Sequence, residues 1–266
     1  MLKLTEENYY SQEANQQYMS VSQFKQFNGT YGRLACEYEA MEELAGRWEN
    51  KTSSAMLQGS YVDSYFEGTL DKFKLENPQM FKRDGELKAE FLKCEQIIER
   101  AERDEYFMKY MSGQKQVIMT AELFGVPWKI KMDSYIPNVA IVDLKVMQSL
   151  TKLHWVPDIG YLDWVRYWGY DFQGAVYQKV VEINTGNKLP FYLAALSKEE
   201  EPDIRIIQIT QNYLDEALNA IEATLPRIMQ VKNGEIEAVR CDVCDCCKHN
   251  RILKSPISIA DLTACI

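Results

Sequence analysis

The stretch "VPWKIKMDSYIPNVAIVDLKV", residues 126–146, decides how the chain reads. Two β-prone runs flank the turn signal Pro137–Asn138, and the second run, "NVAIVDLKV", has the apolar content of a core strand. Asp143 and Lys145 nevertheless stand inside it. Side chains alternate along a strand, so these two share one face while Leu144 takes the other. A hairpin symmetric about Asn138 sets Asp133 directly opposite Asp143, with Cβ atoms roughly 4.5–5.5 Å apart. Two carboxylates that close repel unless one keeps its proton or a cation lies between them. Three readings follow from the residues: a protonated structural pair, a buried Asp–Lys ion pair, or a divalent-metal site. Hard carboxylate oxygens suit Mg²⁺ or Mn²⁺ rather than Zn²⁺.

Working outward, "KQVIMTAEL" (115–123) supplies a strand before the hairpin, so 115–146 reads as a three-stranded meander. Upstream, "MSVSQFKQF" offers serine caps before an apolar period, and "GRLACEYEAMEELAGRW" (32–48) continues in helical spacing. "GSYVDSYFEG" (59–68) reads as a helix between glycines, and "FLKCEQIIERAERDEYFMKYM" (91–111) is strongly helical. Downstream come a helix at 167–184, strands at "PFYLAAL" and "DIRIIQI", and a long helix at 210–231. Helix, meander, helix, strand, strand, helix is the order of an α/β domain with a mixed sheet. The expected organisation is a single domain: a helical segment at 1–58, a core at 59–231 with a helical insert near 69–112, and a cysteine-rich tail at 232–266.

The 266 residues suffice for one substantial core, and 46% hydrophobic with 26% charged content is ordinary for a soluble enzyme or binding domain. "MLKLTEENYY" has acids where a secretory signal needs an apolar stretch, and no 18-residue apolar run occurs. A cytoplasmic chain without a membrane span is expected. Net charge of −9 opposes nucleic acid at long range, but a local basic channel can coexist with it. Lys129, Lys131, Lys152, Lys179 and Lys198 are candidates to line one, against the alternative that they are simply solvated. His154 has no nucleophile nearby in sequence, and neither a phosphate-binding G-x-x-x-x-G-K-[ST] nor G-x-G-x-x-G is present. A Ser–His–Asp or Cys–His hydrolase, a nucleotide-driven motor and a dinucleotide enzyme therefore lack support.

"MDSYIPNVAIVDLK" resembles the D-x(n)-(D/E)-x-K signature of the PD-(D/E)XK nuclease superfamily, and most of all its RecB-type and RecE-like (exonuclease VIII, phage-type) branch. The element order is similar too. That resemblance implies a restriction-endonuclease-like α/β (α+β) core, a central mixed β-sheet flanked by helices, and a Mg²⁺- or Mn²⁺-dependent exonuclease acting on DNA ends. It assigns the metal to Asp133, Asp143, the backbone carbonyl of Leu144 and Asp63, the last standing where the family's early helix usually carries a histidine. Glu67, one turn on, is a reserve, and Glu122 could reach a second metal. Lys145 would orient the attacking water. Gln173 and Tyr177 match the family's Q-x-x-x-Y motif; four apart, they share a helix face and would contact DNA or support Lys145. On structural grounds alone Tyr177 would be core packing, Gln173 an edge residue and Asp63 part of a solvated acidic face. The family's usual glycine two residues before the first aspartate is Lys131 here; in the hairpin register it faces Lys145, implying a shifted register or added attraction for phosphate. The resemblance further implies a homo-oligomer, a single-strand annealing protein as partner, and a phage or prophage recombination role. A catalytically silent nucleic-acid-binding or assembly protein on this fold is the main alternative, and a restriction-type endonuclease a third.

"RCDVCDCCKHN" sets Cys241, Cys244 and Cys247 in C-x2-C-x2-C spacing, a density suited to thiolate-bound Zn²⁺ or iron–sulfur. Resemblance to iron–sulfur RecB-type nucleases makes Cys36 the fourth ligand. His249 offers a local zinc alternative, Cys246 is wedged between ligands, and reduced thiols without metal are the plain alternative. Cys94 and Cys265 read as ordinary.

Overall fold

A computed structural model describes residues 1–253 and 255–259; Cys265 and the end of the expected tail lie outside them. Four short helices open the chain: α1 (Gln12–Gln17), α2 (Val21–Asn28), α3 (Glu37–Leu44) and α4 (Ser54–Glu67). Ser20 caps α2 by accepting from the Gln23 N–H at 3.3 Å. The 32–48 run is helical only from Glu37, because Thr30–Arg33 close a turn and Cys36 caps the helix. Conversely, α4 begins five residues before Gly59, since Ser53 accepts from the Met56 N–H at 3.2 Å and provides an earlier cap.

Next come α5 (Leu70–Glu76), α6 (Ala89–Glu102) and α7 (Glu105–Tyr110). The helical run at 91–111 is broken where Asp104 caps α7, accepting from Phe107 N–H at 2.8 Å. Then follow β1 (Val117–Leu123), β2 (Val126–Met132), β3 (Ser134–Ile136), β4 (Ala140–Met147), a small hairpin of β5 (His154–Val156) and β6 (Gly160–Leu162), and the short α8 (Trp164–Tyr167). The chain continues with α9 (Tyr170–Thr185), β7 (Phe191–Ser197), β8 (Ile204–Gln208), α10 (Gln211–Lys232) and α11 (Asp245–His249).

The central sheet is mixed, in the order β3-β4-β7-β8, with β4 and β7 parallel and the outer pairs antiparallel. The β3–β4 hairpin turns at Asn138, whose φ of 61° suits an asparagine. Its register pairs Ser134 with Val142 and Ile136 with Ala140, as symmetry about Asn138 requires. The expected meander is, however, two ladders. The chain bends at Asp133; β2 pairs with β1 in a separate sheet and carries a single further bridge from Trp128 to Met19, so no ladder brings Lys131 opposite Lys145.

Alternation along β4 divides the core. Ala140, Val142 and Leu144 pack with Tyr61, Val62, Phe91 and Ile97 of α4 and α6. Ile141, on the other face, joins Val176, Val180, Leu214 and Ile221 of α9 and α10. Asp143 and Lys145 continue that second face toward the end of the strand, where the apolar packing opens into a cleft.

Candidate active site

The cleft measures about 880 Å³, and its walls include Asp63, Asp133, Asp143, Leu144, Lys145, Gln173 and Tyr177. Each arrives by a separate local cause. The bend at Asp133 frees its side chain from any ladder and lets Oδ2 accept the Leu144 N–H at 2.8 Å. Strand alternation turns Asp143 and Lys145 the same way, and they form an ion pair through Asp143 Oδ2. Helix α4 delivers Asp63 to the rim while its neighbours Tyr61 and Val62 are buried. Helix α9 delivers Gln173, whose Nε2 donates to Asp143 Oδ1 at 2.5 Å, and Tyr177, whose hydroxyl donates to the Lys131 carbonyl at 3.0 Å. Gln173 thus grips the carboxylate rather than Lys145, and Tyr177 ties down the end of β2.

The electrostatics follow from this crowding. Burial, reinforced by Asp143 and Asp63, pushes Asp133 well above the ordinary carboxylate range. Burial likewise raises Asp63 to about 7; Lys145 opposes the rise, and Asp143 and Glu67 add to it. Burial alone would lower Lys145, but Asp143, Tyr170 and Asp133 outweigh it and hold the ammonium above the usual lysine range. Asp143 is 2% exposed, with Oδ1 held by Gln173 and Oδ2 engaged by the Lys145 ammonium. The Asp63 carboxylate makes no hydrogen bond or ion pair among the described residues. Three carboxylates with one ammonium between them, and unsatisfied oxygen donors at the rim, fit a hard divalent cation. The Leu144 carbonyl, which accepts from Lys145 Nζ at 3.2 Å, faces the same space.

Other sequence-derived candidates separate here. Lys131 lines the cleft, its ammonium 4.7 Å above the Tyr10 ring. Lys129 also borders it but is 1% exposed and spends its ammonium on the Tyr9 carbonyl and Asn15 Oδ1, so it anchors the N-terminal segment rather than offering a free charge. Lys152, Lys179 and Lys198 do not border the cleft; Lys179 pairs with Glu182 instead. Glu122 does not reach it either. It sits exposed opposite Pro127, beside the β1–β2 turn and away from Asp133. Glu67 accepts a hydrogen bond from Gln116 and borders a neighbouring cavity shared with Asp63. His154 stacks on Tyr167, outside the cleft.

Sequence reading missed Lys25, Tyr9, Tyr10 and Tyr170. Lys25 lines the cleft, donates to the Trp168 carbonyl at 3.1 Å and lies 5.0 Å from the Tyr170 ring. Burial, with Lys145 adding repulsion, lowers it to about 8. Only the signal "SVSQFKQF", a lysine on an amphipathic helix, pointed toward it.

The four cysteines form a second cluster. Cys36, Cys241, Cys244 and Cys247 bring their sulfurs within 4.8 Å of one another, the only such set of three or more candidate ligands among the described residues. His249 packs at a tilt against Trp48 instead, and Cys246 accepts from Asn250 Nδ2 at 3.7 Å; neither joins the group. Cys94 is buried in the α6 core.

A mixed sheet with an Asp–Asp-x-Lys set at the mouth of a cleft is the architecture of a PDDEXK-like domain. Residues 20–250 match the family model described as a PDDEXK-like domain of unknown function (DUF3799), and the chain belongs to that family. It is also similar to a protein from Eubacterium rectale whose crystal structure is described as that of a "putative exonuclease": 68% identity over the whole of both chains, with a TM-score of 0.98. No curated protein matches the chain.

Proposed function

We propose that this chain is a divalent-metal-dependent deoxyribonuclease that removes nucleotides from DNA ends. The observation that carries the reading is the convergence of Asp63, Asp133, Asp143 and Lys145 in one cleft, with Gln173 locked onto Asp143. Family membership and the similarity to the E. rectale protein support the reaction class. Asp63, Asp133, Asp143 and the Leu144 carbonyl would hold Mg²⁺ or Mn²⁺, which when bound supplies Lewis-acid polarisation of the phosphate and a more acidic attacking water. Lys145, held charged by its carboxylate neighbours, orients that water and offsets negative charge growing on the phosphoryl oxygens. Gln173 fixes the Asp143 carboxylate so that one oxygen stays directed at the cleft. Lys25 and Lys131 offer phosphate contacts, which position the strand without reading its sequence. A homo-oligomer and an annealing-protein partner in phage-type recombination belong to the same reading, carried by the family resemblance alone.

The test is digestion of linear duplex DNA with and without Mg²⁺, beside an Asp143→Ala variant, with closed circular DNA as the control. Mg²⁺-dependent loss of linear DNA is expected, closed circles should survive, and the variant should be slower by at least about a hundredfold. An equally active variant would refute the site. Cleavage of closed circles would favour an endonuclease, and metal-independent binding without digestion a silent binding protein.

A further inference from the structure

The sulfur geometry of the cysteine cluster specifies more than a thiolate site. Cys36 Sγ lies 3.6 Å from Cys247 Sγ and 3.7 Å from Cys244 Sγ, and Cys241 Sγ lies 4.0 Å from Cys247 Sγ. A tetrahedron with metal–sulfur bonds of about 2.3 Å has edges of about 3.8 Å. An iron–sulfur cluster distributes its four thiolates over two or more irons, so at least some of the sulfurs stand much further apart than one tetrahedral edge. Here all lie within 4.8 Å. We propose that these four cysteines bind a single tetrahedral Zn²⁺, and that this ion staples the C-terminal segment to the helix that walls the cleft.

Backbone amides are directed at three of the four sulfurs. Backbone N–H groups of Glu39, Cys244 and Cys247 donate to the sulfurs of Cys36, Cys241 and Cys244 at 3.3–3.4 Å. Such bonds offset thiolate charge and fix the sulfur lone pairs. All six described cysteines are free thiols. The segment also needs a staple: from Lys232 onward, Cys246 and Cys247 are its only fully buried side chains among the described residues, while Val239, Val243, Ile252 and Leu253 are exposed. Metal binding replaces the missing apolar core. From Cys36 the constraint passes inward, because its N–H donates to the carbonyl of Gln26, and Gln26 lines the cleft. Trp48, another wall residue, packs against the His249 ring of the stapled segment, centroids 5.6 Å apart.

The full-length protein, expressed with iron and zinc both replete and purified anaerobically, is assayed for metals, labile sulfide and visible absorption. One zinc per chain and no visible band are expected, and exchange with Co²⁺ should give the intense d–d bands of a tetrahedral tetrathiolate. Stoichiometric iron, with or without sulfide, or no stoichiometric metal, would overturn the assignment. Cys36→Ala should lower zinc affinity at least about tenfold while Cys246→Ala keeps it. If Cys36→Ala fails to fold, the wild-type stoichiometry and Cys246→Ala still decide: zinc lost from Cys246→Ala contradicts the ligand set. Metal content is read without any hydrolysis, so this result stands or falls apart from the nuclease reading.

Discussion

At the scale of single residues, the site crowds like charges that the proposed cation would balance. Asp63 shows the consequence. Its carboxyl holds a proton up to about pH 7 in the folded chain, whereas an unfolded aspartate releases it near pH 4. Between those values the folded state binds the extra proton, so stability without metal falls as pH rises from about 4 to about 7. Asp63→Asn removes that contribution. The melting temperature of the metal-free variant should exceed wild type by a growing margin toward pH 7 and converge with it near pH 4; Mg²⁺ should narrow the gap by stabilising wild type. A wild-type–variant difference that stays constant from pH 4 to 8 would contradict the assigned environment.

At the scale of elements, the bend between β2 and β3 does the positioning. Asp133 leaves the ladder there, and the loop after α7 packs against the bend. Gly113 donates its N–H to Ser134 Oγ at 2.9 Å, and Gln114 exchanges backbone bonds with Tyr135. A Cβ on Gly113 would lie 2.6 Å from both Ser134 Oγ and the Tyr135 carbonyl oxygen. Because one obstacle is backbone, relief requires moving β3. Gly113→Ala should therefore destabilise the fold by about 1–3 kcal/mol and displace Asp133. Chemical denaturation and Mg²⁺-dependent DNA digestion check the two parts, and an unaltered midpoint would show that the bend yields freely.

At the scale of the whole molecule, the proposed activity asks an acidic chain to hold a polyanion. The net charge is −9, while Lys25, Lys131 and Lys145 gather in the cleft. If these three meet phosphates, the logarithm of duplex affinity should fall with the logarithm of salt at a slope of about −2.7. Between 50 and 200 mM salt that is about a 40-fold loss. Fluorescence anisotropy with Ca²⁺ in place of Mg²⁺ measures it, and a salt-independent affinity would exclude phosphate contacts as the basis of binding.

Much of this was legible in the chain itself, for reasons of range. Asp143 and Lys145 stand out because period-two alternation and apolar neighbours are local; the turn at Asn138 brings Asp133 beside β4, but the bend takes it out of the ladder, so the expected direct pairing with Asp143 does not form. Gln173 and Tyr177 are marked by the family motif they resemble, and helical spacing adds only that they share one face. The β5–β6 hairpin was also written locally, in "VPDIGY", but its strands of three residues each are too short to show alternation. What only tertiary structure decided was which distant segments meet: Lys25 and Tyr10 at the cleft, Glu122 turned away from it, Lys129 consumed by the N-terminal segment, and Cys36 beside sulfurs more than 200 residues on. Local spacing determines the face on which a side chain lies; only the packing of whole elements determines what stands across from it.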